Sequence, residues 1–217
     1  MQLFIQLFTF NPFQENTYVV YNALNEAVII DPGCYFREEK AELLDFIADK
    51  KLKPLALLNT HAHLDHIFGN ATVLNAFEID YYLHPLDLPT LKMAENACNL
   101  YGLKEYEVSP EPTKTLSDGE KISFGSIEFE VIFVPGHAPG HVAFYNAENR
   151  FLIGGDVVFE GSYGRTDLPG GNADTLKKSI ISRVFTLPDE TYILSGHGNP
   201  TNVGAEKMGN PILIVGS

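Results

Sequence analysis

The stretch Leu55-Ala56-Leu57-Leu58-Asn59-Thr60-His61-Ala62-His63-Leu64-Asp65-His66 decides how the rest of the chain is read. Leu55–Asn59 is a short, mostly apolar run without alternation, the pattern of a strand covered on both sides. Behind it come His61, His63, Asp65 and His66. In an extended segment His61 and His63 direct both imidazoles to one side, and Asp65 and His66 then turn toward a neighbouring point. Imidazole combined with a hard carboxylate oxygen suits zinc or iron, and the absence of cysteine among them argues against a structural zinc site. The bland alternative, a polar loop of hydrogen-bonded histidines, does not account for this density and register.

Three further positions of the same chemistry follow strand-like runs downstream. His137 stands in Pro135-Gly136-His137-Ala138-Pro139-Gly140-His141, just past the run 127–134. Asp156 ends Ile153-Gly154-Gly155-Asp156, where two glycines allow close backbone approach. His197 lies in Ser195-Gly196-His197-Gly198, past the run 192–194. Ligands delivered by the ends of several strands converge on one edge of the sheets, where a rigid scaffold holds them. His141 reads as a packing neighbour of this loop, and His84, which precedes Pro85, as structural.

Outward from these motifs, β-like runs alternate with amphipathic helices. Leu3–Phe8, Thr17–Tyr21 and Ala27–Ile30 are rich in β-branched and aromatic residues, and the last stops at the turn signal Asp31-Pro32-Gly33. Periodicity predicts helices over 38–52, 68–77, 88–101 and 174–185. In the last of these Asp174 is the expected N-cap and Leu176, Ile180, Ile181 and Val184 the inward face. Further strands are expected at 81–83, 121–124, 127–134, 141–145, 151–153 and 192–194. Residues 107–119 read as a surface connection, and the apolar tail within 211–217 as an edge strand or a subunit contact. Strands followed by helices, twice over, predict an α/β fold of two packed sheets with helices outside.

At 217 residues the chain fits one domain, residues 1–217, able to bury about 70% of its unfolded surface. Hydrophobic residues at 45% and charged residues at 20% exclude a disordered or fibrous chain. The net charge of −13 argues against nucleic acid or an anionic membrane as the main partner. Met1–Phe10 lacks a basic start and a small-residue cleavage site, so it reads as a first strand and not as a signal peptide. No run approaches the ~18 apolar residues of a membrane helix. Cys34 and Cys98 are too few for a disulfide framework and read as small buried hydrophobes of a reducing compartment, which with the rest gives a cytoplasmic expectation.

Taken together, His-x-His-x-Asp-His, the later His137, Asp156 and His197 in that order, and the preceding Asp31-Pro32-Gly33 resemble the metallo-β-lactamase-fold hydrolases over nearly the whole chain. The resemblance implies the αβ/βα four-layer sandwich. It also implies two zinc ions, with iron or a mixed pair as variants: His61, His63 and His137 on the first, Asp65, His66 and His197 on the second, and Asp156 bridging. Asp31 matches the family's aspartate behind the histidine loop. The best-known class of true β-lactamases carries a cysteine where Asp156 stands and a different residue at His66, which argues against antibiotic hydrolysis.

Within the family, Gly161-Ser162-Tyr163-Gly164-Arg165-Thr166-Asp167, with Gly170-Gly171 after it, looks like the glyoxalase II-like thioesterases and the related persulfide dioxygenases, although glyoxalase II has a lysine where Arg165 stands and a tyrosine where Asp167 stands. The ending Gly198, Thr201, Gly204, Glu206 and Asn210-Pro211 resembles the short, single-domain members. The implied activity is hydrolysis of a glutathione-type thioester by a hydroxide shared between the metals and oriented by Asp65. Arg165 and Tyr163 would meet the substrate, Arg165 through a carboxylate on an anionic thiol carrier. The alternative on the same scaffold is a persulfide dioxygenase with a single iron on His61, His137 and Asp156. The oligomeric state, the acyl group and the native metal are left open at this level.

Overall fold

Aromatic and β-branched side chains open the chain and fold into an antiparallel meander of β1 (Leu3–Phe10), β2 (Glu15–Asn22) and β3 (Glu26–Ile30). The structure, a computed structural model, describes residues 1–215; residues 216 and 217, the end of the apolar tail, lie outside the described residues. It forms two compact units, one of Met1–Leu116 with Ser123–Glu128, the other of Ser117–Ile122 with the chain from Phe129 onward.

In the first unit, α1 (Arg37–Asp49) carries the chain from β3 to β4 (Lys53–Leu58), which pairs parallel to β3. The short helices α2 (Leu64–Ile67) and α3 (Asn70–Ala76) lead to β5 (Asp80–Leu83), and α4 (Leu88–Tyr101) leads to β6 (Lys114–Thr115), both strands again added in parallel. The sheet order is β1-β2-β3-β4-β5-β6. Val19, Ile29 and Leu57 from its central strands pack with Leu43 and Ile47 of α1, all of them buried. The register sets Ile30 opposite Leu58, so the carboxyl ends of β3 and β4 leave the sheet side by side. The amide of Asp31 accordingly donates to the Leu58 carbonyl at 3.0 Å. Aspartate and histidine loop thus start as neighbours.

The second large sheet is built on β7 (Lys121–Phe124), β8 (Ile127–Phe133), β9 (Val142–Asn146) and β10 (Phe151–Gly155), followed by a small hairpin of β11 (Val158–Phe159) and β12 (Ser162–Tyr163). After α5 (Ala173–Ser179) come β13 (Tyr192–Ser195), β14 (Thr201–Asn202) and α6 (Val203–Gly209). The larger sheet runs β14-β13-β10-β9-β8-β7. Here too a parallel pair, β10 with β13, brings two carboxyl ends together: Gly155 lies opposite Ser195, and the Gly196 amide donates to the Gly155 carbonyl at 2.8 Å.

Several boundaries differ from expectation for identifiable reasons. The helix expected at 68–77 begins earlier and breaks in two at Gly69, whose amide donates to the Pro32 carbonyl at 2.6 Å. A Cβ at Gly69 would lie 2.4 Å from Cys34 Sγ, so only glycine lets α3 start this close to the Asp31 loop. The N-cap of α5 is Asn172 and not Asp174; its Oδ1 accepts the Thr175 amide at 2.8 Å. Past α5 the helix widens into a π turn over Ile180–Val184, and Leu176, Ile180 and Val184 face the core while Ile181 is exposed. The tail forms a 3₁₀ turn, Pro211–Ile214, capped by Asn210, in place of an edge strand. Cys34 and Cys98 are buried, and burial pushes the Cys34 thiol up to about 12. Among the described residues no helix is long and apolar enough to cross a membrane.

Phe129, fully buried in β8, has its ring 6.1 Å from that of Phe144 and 6.2 Å from that of Phe151. Phe129→Ala should cost about 3–5 kcal/mol in urea unfolding, whereas Leu100→Ala, at an exposed position of α4, should stay within about 0.5 kcal/mol.

Candidate metal centre

In the first unit the site grows out of one buried carboxylate. Asp31 Oδ1 accepts the Thr60 amide at 2.7 Å and Asn59 Nδ2 at 3.2 Å; Oδ2 accepts the Thr60 hydroxyl at 2.6 Å and His66 Nδ1 at 3.1 Å. A carboxylate only accepts, so His66 carries its proton on Nδ1 and turns Nε2 away from Asp31. The single Thr60 hydroxyl proton is given to Asp31, so the contact of Thr60 Oγ1 with His61 Nδ1 at 3.0 Å makes His61 the donor. His61 is thereby left with a bare Nε2. That nitrogen lies 3.1 Å from His63 Nδ1, and the His61 and His66 rings stand 4.1 Å apart. Ligand atoms of Asp31, His61 and His66 all lie within 4.8 Å of one another. Asp65 follows His63, the residue that caps α2, and its Oδ2 comes within 3.9 Å of His66 Nε2.

In the second unit His137, Asp156 and His197 converge on one oxygen. Asp156 Oδ2 is 3.5 Å from His137 Nε2 and 3.5 Å from His197 Nε2. His137 Nδ1 meets the Arg165 carbonyl at 2.7 Å, so it too is the protonated nitrogen and Nε2 carries the lone pair. Gly164 makes this contact possible, because a Cβ there would fall 1.9 Å from the Asp156 carbonyl oxygen. The Asp156 amide donates to His141 Nε2 at 3.0 Å. His141 therefore spends that nitrogen holding Asp156 and acts as the neighbour that the sequence suggested.

Donor chemistry supports a metal. Two ligands on one tetrahedral ion at ~2.1 Å sit ~3.4 Å from each other. The three spacings of 3.1, 3.5 and 3.5 Å fall near that figure. Proton positions fixed by oxygen partners on the far nitrogen are how ligating histidines are oriented.

Arg165 is engaged in a manner the sequence did not suggest. Its Nε and Nη2 both reach Asp167, each at 2.7 Å, on the exposed surface, and this guanidinium holds the Asp167 carboxyl down to about 2. Tyr163 is half-buried in β12 and packs against the core of its unit. His84 accepts the Leu86 amide and caps the 3₁₀ turn 85–87, a structural task.

Three polar residues beside the histidine loop escaped the sequence reading. Glu15 is fully buried, takes the Thr17 hydroxyl at 2.9 Å, and approaches His66 Nδ1 to 3.9 Å. Asn11 Nδ2 donates to the Asp65 carbonyl at 3.0 Å. Asp87 Oδ2 accepts the Ala62 amide at 2.7 Å. The one available signal was polarity inside apolar surroundings, as in Glu15 at the head of the hydrophobic strand β2.

Comparison with known proteins gives a consistent picture. A family model described as Metallo-beta-lactamase superfamily matches residues 10–197. The probable metallo-hydrolase YqgX of Bacillus subtilis is 40% identical over 204 residues, 93% of this chain and 93% of that protein. Hydroxyacylglutathione hydrolase GloC of Haemophilus influenzae is 31% identical over 210 residues, 96% of this chain and 97% of that protein. Among solved structures, BLEG-1, described as a B3 metallo-beta-lactamase, superposes with a TM-score of 0.87 at 36% identity over 97% of this chain and 100% of that one. TTHA1623 in a di-iron-bound form gives 0.85 at 41% identity over 95% and 98%.

Burial pushes the Glu15 carboxyl well above its ordinary value, so the metal-free folded chain holds a proton there that the unfolded chain releases. Stability from this group is present at acid pH and falls as pH rises above about 4.5 toward the raised value. Glu15→Gln should flatten that loss and leave the metal-free protein at least as stable as the wild type at pH 8 in thermal unfolding. A variant that loses stability more steeply with rising pH would contradict this.

Proposed function

Since the chain belongs to the metallo-β-lactamase superfamily, we propose that it is a two-metal hydrolase acting on thioesters of a small anionic thiol carrier of the glutathione type. The observation that carries the reading is Asp156 Oδ2 at equal distance, 3.5 Å, from His137 Nε2 and His197 Nε2, the arrangement of a carboxylate shared between two ions. In this reading His61, His63 and His137 hold one ion, Asp65, His66 and His197 the other, and Asp156 both. The relative named hydroxyacylglutathione hydrolase supports the thioester, and the donor set of imidazoles and carboxylates admits zinc, iron or a mixed pair.

Bound divalent ions supply Lewis-acid polarisation of a carbonyl and acidify water toward neutral pH. The protein's own part is to hold the donors still. Asp31 and Thr60 fix His66 and His61 with Nε2 outward, the Arg165 carbonyl does the same for His137, and His141 anchors the Asp156 backbone. Asp65 orients water by accepting its proton as a hydrogen bond. A thiolate is a good leaving group, so no general acid is required of the chain. Arg165 offers its charge to the carrier's carboxylate in competition with Asp167.

Protein purified without added metal should contain about two divalent ions and hydrolyse S-lactoylglutathione. Activity on β-lactams in its place, or one iron with oxygen uptake on a glutathione persulfide, would overturn the assignment. His197→Ala should lower the metal content toward one ion and cut thioester turnover ~100-fold at neutral pH. In the single-iron reading the same change spares the iron.

Because Arg165 and Asp167 are exposed, exchanging one carboxylate partner for another is worth at most about 1 kcal/mol. Arg165→Ala should therefore raise KM for an anionic carrier by about fivefold with kcat little changed, and Asp167→Asn should lower KM by about threefold. A thioester of an uncharged thiol should respond to neither. Steady-state kinetics with both substrates checks the signs.

A further inference from the structure

We propose that Asn11 and Asp87 are positioning residues which set the affinity of the two metals separately, each by gripping one end of the histidine loop. The inference rests on the reading of His61, His63, Asp65 and His66 as ligands.

The peptide of Ala62 joins the two residues of the His-x-His pair. Its amide donates at 2.7 Å to Asp87 Oδ2, and Asp87 is fully buried where the 3₁₀ turn 85–87 passes into α4. The positive end of the α4 dipole eases the burial of that carboxylate. Rotation of the Ala62 peptide would swing His61 and His63 together and change the 3.1 Å spacing of their nitrogens. Asp87 blocks that rotation, and the task demands only an acceptor.

At the other end Asn11 commits its whole amide. Nδ2 donates to the Gly33 carbonyl at 2.9 Å and to the Asp65 carbonyl at 3.0 Å, while Oδ1 accepts the Phe13 amide at 2.9 Å. Its backbone amide donates to Glu39 Oε1 at 2.8 Å, and the residue is held at φ +56°, in the left-handed region. Asn11 thus ties the Asp65 carbonyl to the loop that follows Asp31. Here the task demands a donor, which a carboxylate cannot supply.

The two chemistries give opposite expectations for isosteric changes. Metal-free protein titrated with Zn²⁺ by calorimetry should show two sites. Asp87→Ala should weaken one of them tenfold or more and leave the other within about twofold, and Asp87→Asn, which keeps an acceptor, should return the loss to within about threefold. Asn11→Ala should weaken the other site tenfold or more, and Asn11→Asp should be no better. The visible spectrum of the Co²⁺-loaded variants should change in the band of the affected site alone. Should the alanine variants fail to fold, Asp87→Asn and Asn11→Asp decide by themselves. An Asp87→Asn protein weakened tenfold or more at that site, an Asn11→Asp protein with wild-type affinity, or loss of both sites in step with thermal stability would overturn the inference while leaving the metal reading intact. Wild-type protein that takes up no Zn²⁺ overturns the metal reading, and this inference with it.

Discussion

One buried carboxylate organises the histidine loop. Asp31 sits at φ +48°, a left-handed conformation that costs a residue with a side chain about 1–3 kcal/mol. The strain is held by four bonds to its two oxygens, and each of these bonds has a consequence beyond itself. The Thr60 amide and hydroxyl fix the exit of the chain from β4. The same hydroxyl then sets the proton on His61, and the second oxygen sets it on His66. Two imidazoles receive their orientation and tautomer from a single side chain. The carboxylate can do this only because β3 and β4 are parallel and in register, so that their ends leave the sheet as neighbours.

The second unit solves the same problem with different groups. Its parallel pair β10 and β13 releases Asp156 and His197 side by side. The proton on His137 is fixed by a backbone carbonyl, that of Arg165, and the close approach of that backbone depends on the missing side chain at Gly164. A carbonyl cannot titrate, and neither can a glycine be replaced without displacing the Asp156 carbonyl. Each imidazole whose Nδ1 proton is fixed by an oxygen thus directs Nε2 as its ligating nitrogen, as tight metal sites require.

What the sequence made legible follows the same division. The residues that offer donors could be read directly, because His61, His63, Asp65, His66, His137, Asp156 and His197 are chemically unusual at strand ends. Asp31 was legible through its Asp-Pro-Gly turn and the family it resembles. The groups that hold the donors were not. Asn11, Glu15 and Asp87 act through folded proximity, and Asn11 reaches Asp65 across 54 positions of sequence. The strands and most helices followed from periodicity, whereas the break at Gly69 and the π turn after α5 depend on packing that periodicity does not encode. Asp174 lost the capping role to Asn172 because either residue type caps well, and the choice between neighbours is geometric.

The exposure of the polar groups also divides the molecule by how freely it can change. The bonds around Asp31 are buried, and removing one partner from such a network leaves an unpaired charge or donor at a cost of several kcal/mol. The Arg165–Asp167 pair lies on the surface, where water competes for both ions and a change of partner costs about 1 kcal/mol or less. The buried donors are accordingly locked in place, while the Arg165 side chain can exchange Asp167 for another anion at little cost. A fold arranged in this way holds its buried donors while leaving the surface pair open to change, and chains of 36% and 41% identity to this one share its architecture.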